Sequence, residues 1–328
     1  MKPAGTPLRL ATRGSPLARW QTHRVAELLG RKGTPTTVVV VDTEGDRRAD
    51  VPLRSIGGQG VFVKEVQAAV VRGEADAAVH SAKDLPSAPE LLVPGLVLAA
   101  FPERADPHDL LVGATLDTLG SGALVATGSA RRRVQLANLR ADLVFADLRG
   151  NLATRLAAVG TAGVGAVVVA VAGVERLGWE NEAGLPVERL GPLTMVPQVG
   201  QGAIAVECRE DDHAVREALA AIDDPWVRRP VEAERAYLAE LGGGCTQPVG
   251  ALAVACEDAG VPAGSLTVTG MLASEDGHVV LRRMGTGTDP GHLGRSVARA
   301  LLDRSGGRSL GAWGAGDEAV RPGGRPQP

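Results

Sequence analysis

Along the first two thirds of the chain, short runs of branched apolar residues alternate with segments whose apolar positions recur every three to four residues. Leu8-Arg9-Leu10-Ala11 predicts a strand, and Ser15-Pro16 opens an amphipathic helix running through Leu29. Thr37 to Val41 predicts a buried strand, Phe62 to Val71 a helix, and Ala75 to His80 and Leu96 to Ala100 two further strands. The order β-α-β-α-β predicts an open α/β sheet. The series then restarts. Ala123 to Thr127 predicts a strand, Ala130 to Leu139 a helix, Leu143 to Ala146 a strand, Leu152 to Val159 a helix and Ala166 to Val171 a strand. Gly202 to Val206 predicts a late strand that returns to the first sheet.

The fold class expected from this is α/β, with two lobes joined by crossing segments around a cleft. Ligands in such sheets sit beyond the carboxyl ends of the strands. The remainder of the chain reads differently. Glu232 to Leu241 predicts a helix, Leu266 to Met271 pairs with Val279 to Arg283 across Glu275-Asp276-Gly277, and a helix from Leu293 to Leu302 follows. That is a small α+β C-terminal domain. The expected division is 1–101 with 198–222, then 102–197, then 223–310, with the Gly- and Pro-rich 311–328 expected to be a disordered tail.

Composition narrows the core. A chain of 328 residues exceeds what one hydrophobic core serves, and its 44% apolar and 22% charged residues are ordinary globular values. Aromatics are only 2%, so Val, Leu, Ala and Ile must fill the interior, which favours parallel sheet covered by helices. Only Lys2, Lys32, Lys64 and Lys83 are lysines, a preference for arginine that a GC-rich genome explains. The positions of particular arginines, not their number, must therefore argue for anion binding. No basic block or aromatic surface suggests nucleic acid. Cys208, Cys245 and Cys256 are too few and too scattered for a disulfide framework, and no metal is expected. Met1 to Thr6 has no apolar signal core and no stretch reaches membrane-spanning length, so a cytoplasmic location with reduced thiols is expected.

Four strand-to-helix junctions carry polar residues where a cleft would lie. In Thr12-Arg13-Gly14-Ser15-Pro16, Arg13 beside a helix N-terminus suits a carboxylate, although on spacing alone a plain Ser15 cap with a surface arginine reads first. In His80-Ser81-Ala82-Lys83-Asp84-Leu85-Pro86, Asp84 beside Lys83 could stabilise a cation or move protons, or could simply cap the turn before the proline; pattern leaves both open. In Thr127-Gly128-Ser129-Ala130-Arg131-Arg132-Arg133, hydroxyls and guanidinium forks meet a helix start, and anion binding is the stronger reading. In Leu148-Arg149-Gly150-Asn151-Leu152-Ala153-Thr154-Arg155, both arginines could face the same cleft. Together the junctions predict a cationic cleft around Asp84, suited to a polycarboxylate or a phosphate. Cys245 follows three glycines that would let a ligand approach, yet pattern alone favours a small buried thiol there.

These residues resemble the porphobilinogen deaminase (hydroxymethylbilane synthase) family. The matching segments are Arg9 to Pro16, Gly57 to Glu65, Val79 to Pro86, Gly128 to Arg132, Leu148 to Arg155, Ala170 to Gly173, Val199 to Ala203, Ala233 to Ala236, and Gly243-Gly244-Cys245 with Pro248 and Gly250. So many motifs in order are specific. The resemblance implies two lobes similar to periplasmic binding proteins, with a dipyrromethane cofactor attached through a thioether to Cys245. It also implies a transferase of haem and other porphyrin biosynthesis that condenses porphobilinogen units onto that primer with loss of ammonia. Asp84 would stabilise the cationic azafulvene left by deamination. Ser81, Lys83, Thr127, Ser129, Arg131, Arg132, Val169 and Ala170 would hold the cofactor. Arg13, Ser15, Arg149, Arg155, Arg176 and Gln201 would position porphobilinogen and the growing polypyrrole chain. A monomer is expected.

Four positions depart from the family pattern. Ser55 and Gln59 stand where the glycine-rich loop often has lysines, Gly128 where a second hydroxyl is common, and Gln198 where a small residue is common. Competing readings are a non-catalytic two-lobed anion-binding protein, which gives Cys245 and Asp84 no role, a phosphate-ester enzyme, for which no Walker-type loop is present, and a family member that has lost activity.

Overall fold

The computed structural model describes residues 6–43, 63–179, 181, 184–242, 247–256, 258 and 260–310. The glycine-rich segment 57–62, Ser55, Gln59, Cys245 and the segment 311–328 lie outside these residues.

The first lobe is built on β1 (Leu8–Arg13), β2 (Thr36–Val41), β3 (Ala77–Ser81) and β4 (Leu96–Ala100), with helices α1 (Pro16–Arg31) and α2 (Lys64–Val71) between them. Ser15 does cap α1, its hydroxyl accepting from the Ala18 amide, with Pro16 supplying a preset φ at the first position. The second lobe comprises β5 (Asp109–Val112), β6 (Leu124–Ala126), α3 (Ala130–Leu139), β7 (Val144–Ala146), α4 (Leu152–Leu156), β8 (Val164–Ala170), α5 (Val171–Arg176) and β9 (Val187–Leu190). The chain then returns as β10 (Ile204–Arg209), which enters the first sheet antiparallel between β3 and β4. The two five-stranded sheets have the orders β2-β1-β3-β10-β4 and β7-β6-β8-β5-β9, so each inserts one antiparallel strand beside its third parallel one. The architecture is the expected pair of α/β lobes, with mixed rather than purely parallel sheets.

Helix α6 (His213–Ala220) closes the first lobe, and α7 (Pro225–Glu240), β11 (Val249–Ala255), β12 (Leu266–Ala273), β13 (Val280–Gly287) and α8 (Pro290–Arg299) form the third unit. Strands β12 and β13 pair antiparallel with Met271 opposite Arg282, across the turn read from the sequence. A core of Tyr237, Leu238, Val268, Leu272, Leu293 and Val297 joins its helices to its sheet. Among the described residues no helix is long and apolar enough to cross a membrane.

Several expectations need correcting. Strand β2 is an edge strand rather than a buried one, and Val40 is 45% exposed. Strands β5 and β9 and helix α6 had no clear pattern in the sequence, α4 ends three residues early at Leu156, and α7 begins at Pro225 rather than Glu232.

The lobes are linked by two segments lying side by side. Arg104 bridges Ala203, and the Ala105 amide donates to the Gly202 carbonyl at 3.1 Å. Gly202 has φ +85°, and a Cβ there would sit 2.3 Å from the Ala105 carbonyl oxygen, so only glycine allows this approach.

Candidate active site

The cleft floor on the first lobe is the turn that ends β3. Arg13, Ser15, Gln21, His80, Ser81, Lys83 and Asp84 line a cavity of about 90 Å³ there. The returning segment braces this turn. The Ala82 amide donates to the Ala203 carbonyl at 2.9 Å, and Gln198 Nε2 donates to the Lys83 carbonyl at 3.1 Å. Helix α7 adds Arg235, whose Nη2 donates to the Pro86 carbonyl at 2.7 Å. Gln198 is thus a strut beneath Lys83.

The turn-cap reading of Asp84 is not realised: among the described residues its carboxylate has no hydrogen bond, and neither does the Lys83 ammonium. Burial pushes the Lys83 pKa down to about 8, with Asp84 opposing, Arg132 and Arg155 adding, and Asp109 opposing. Burial likewise takes Arg155 down to about 10, helped by Arg132 and Arg149 and resisted by Asp84. These mutual influences place the second, third and fourth junctions around one space.

The second lobe supplies most of the cations. Helix α3 starts at Ser129, whose hydroxyl accepts from the Arg132 amide at 3.4 Å, and the Thr127 hydroxyl accepts from the Ser129 amide at 3.3 Å. Both hydroxyls hold the turn that aims Arg131 and Arg132. Those two guanidiniums are buried and share one carboxylate, Asp109 at the start of β5, which the sequence reading did not single out. Arg131 Nη1 donates to Asp109 Oδ2 at 2.7 Å, and Arg132 Nε and Nη2 donate to Oδ1 at 3.0 and 2.8 Å. Burial raises the Asp109 pKa, but the two guanidiniums more than offset that and hold it well below the usual carboxylate range. In the sheet, Asp109 faces Ala170 and Leu110 faces Val169, so both β8 positions lie beside this cluster.

Other residues settle in less direct places. The Ser81 hydroxyl exchanges hydrogen bonds with the Gln21 amide at 2.9 and 3.1 Å. Gln201 is buried, and its Nε2 donates to Asp109 Oδ1 at 3.0 Å and to the Pro107 carbonyl at 2.8 Å. Arg176 lies at the junction of the lobes, its Nη2 donating to the Gly202 carbonyl at 2.7 Å and its guanidinium 5.3 Å from the Trp20 ring centre. Arg155 Nε donates to the Gly150 carbonyl at 3.0 Å, while Arg149 Nη1 is buried without a partner among the described residues.

Comparison with known proteins decides the family. A family model described as "Porphobilinogen deaminase, dipyromethane cofactor binding domain" matches residues 8–217, and "Porphobilinogen deaminase, C-terminal domain" matches 229–303. The chain belongs to the porphobilinogen deaminase family. The porphobilinogen deaminase of Acidothermus cellulolyticus is 46% identical over 304 residues, 90% of this chain and 88% of that one. That of Roseiflexus castenholzii is 45% identical over 92% of this chain and 98% of its own, and that of Nocardia farcinica 47% over 91% and 86%.

The residues present fit the dipyrromethane of this family, whose pyrroles carry acetate and propionate groups. Lys83, Arg149 and the Arg131 Nε have donor capacity that no described residue takes up, and cations outnumber the carboxylates Asp84 and Asp109 around the space. Cys245 itself is outside the described residues and falls in the sequence between α7 and β11. In β11 the Gly250 backbone runs so close that a Cβ would lie 3.2 Å from Arg131 Cδ.

Proposed function

We propose that this chain is a hydroxymethylbilane synthase. It condenses four porphobilinogen units, with release of ammonia, onto a dipyrromethane primer held as a thioether on Cys245, and hydrolysis then frees the linear tetrapyrrole. The observation that carries this reading is Asp84: a carboxylate with no hydrogen bond among the described residues, set beside Lys83 and Arg155.

When bound, the primer would supply the free pyrrole carbon to which the first unit is joined, each added unit then supplying the carbon for the next. The chain's own residues do the rest. Asp84 accepts from pyrrole N–H groups and stabilises the positive charge that develops as the aminomethyl C–N bond breaks. Lys83, Arg131, Arg132, Ser129 and Thr127 hold the acetate and propionate groups of the primer, with Ser81, Val169 and Ala170 shaping its seat. Arg13, Ser15, Arg149 and Arg155 orient the incoming unit and the growing chain, and Arg176 and Gln201 act at the junction of the lobes. The reading takes the chain as three units, 1–101 with 198–222, 102–197 and 223–310. The reading includes a cytoplasmic monomer that acts on small molecules without nucleic acid.

The test is intact-protein mass spectrometry of the wild-type chain and Cys245→Ser, made in cells that produce tetrapyrroles, alongside porphobilinogen turnover. The wild type should carry an adduct of two pyrrole units and turn over substrate, and the variant should do neither. An adduct-free wild type would sink the tether, and an adduct without turnover would identify an inactive relative.

A further inference from the structure

Two adjacent guanidiniums can bind a ligand carboxylate in many orientations unless something fixes their planes. In this chain one side chain does so. Asp109 is fully buried and takes bonds from both forks, at 2.7 and 3.3 Å from Arg131 and at 3.0 and 2.8 Å from Arg132. The remaining positions are fixed from behind, by Arg131 Nη1 on the Val196 carbonyl at 2.8 Å and Arg132 Nη1 on the Val168 carbonyl at 2.7 Å. Gln201, on the segment that crosses between the lobes, adds its own bond to Asp109 at 3.0 Å. The trio of Asp109, Arg131 and Arg132 therefore carries one net positive charge rather than two, presented through the few N–H donors that point away from Asp109.

We infer that Asp109 is a positioning residue that sets selectivity: it orients Arg131 and Arg132 for the shaped carboxylates of the pyrrole ligands and, by cancelling one charge, disfavours small inorganic anions. The inference rests on the function proposed above. Orientation and charge pull in opposite directions when the carboxylate is removed. A ligand that needs both forks in register loses affinity, while a compact anion that needs only positive charge gains it.

The experiment is Asp109→Asn, nearly isosteric, with three readouts. KM for porphobilinogen should rise by about tenfold or more with kcat changed much less, as loss of an oriented charge-assisted contact predicts. The fraction of chains carrying the primer, by intact mass, should fall. Inhibition or thermal stabilisation by inorganic phosphate should become stronger. A purely structural role for Asp109 would weaken phosphate binding along with everything else, and wild-type KM, primer content and phosphate response in the variant would equally overturn the inference. If wild-type protein lacks both primer and turnover, the functional reading fails, and the phosphate arm still judges Asp109: no gain in phosphate response refutes it. If Asp109→Asn does not fold, Asp109→Asn/Arg132→Gln removes the extra buried charge. Against Arg132→Gln alone, its KM should rise because Arg131 loses its own bonds to Asp109, and its phosphate response should strengthen; no change in either would refute action through the arginines.

Discussion

The carboxylate of Glu234, in the middle of α7, grips the guanidinium of Arg104 in the crossing segment through two bonds, 2.8 and 3.1 Å long. The same carboxylate accepts from the Gly200 amide at 2.7 Å in the second crossing segment and from the Ala253 amide at 2.9 Å in β11. One fully buried group thus joins both links between the lobes to the third unit. Glu234→Ala leaves Arg104, whose side chain is 11% exposed, and two amides without their acceptor. A loss of about 3–5 kcal/mol is expected, measured by urea unfolding, and an unchanged midpoint would refute the hub.

Asp84→Asn keeps the geometry of the turn and removes the charge. Primer content by intact mass should stay at the wild-type level while kcat falls by about a hundred- to a thousandfold, the range for losing one preorganised electrostatic contact. Full activity would exclude the proposed role.

Lys83 gives a pH dependence. Its pKa lies below the ordinary value, near 8, chiefly because it is buried. Its charge is complete well below that pH and is lost as pH rises through about 8, so carboxylate binding weakens on the alkaline side. KM for porphobilinogen should climb above pH 8 in the wild type, and the break should vanish in Lys83→Arg, whose guanidinium stays charged. The linked stability term has the opposite slope. Because the unfolded chain holds this proton more tightly than the folded one, it contributes increasing stability between about pH 8 and the ordinary lysine value of 10.5.

Gly128 stands where a side chain has little room. A Cβ at that position would lie 2.8 Å from the Leu148 carbonyl oxygen. Gly128→Ser, which restores the hydroxyl common in the family, should therefore destabilise the second lobe by about 1–3 kcal/mol, seen as a lower thermal midpoint. A neutral or stabilising effect would show that Leu148 yields.

Local signals account for what could be read in advance. Helix α3 was legible to its last residue because Ser129 caps it and an apolar strand precedes it. The four polar junctions were legible because hydroxyls and arginines recur at strand ends. Strand β2 is visible in the sequence but its edge position is not, since a valine run reads alike at an edge and in the middle, and only the pairing partners decide. Asp109 was hidden because it follows Asp106-Pro107-His108, which reads as a turn, and its partners stand 22, 23 and 92 residues away. Charge partners at such separations leave no periodicity. Glu234 illustrates the same limit, since Arg104 is 130 residues distant, although it lay within a family motif.

Two links laid side by side behave unlike one. A single strand between two bodies can twist freely; a pair bonded to each other at Ala105 and Gly202 resists that twist, as two pins steady a door. Asp84 stands on one leaf of that door, and Arg131 and Arg132 stand on the other.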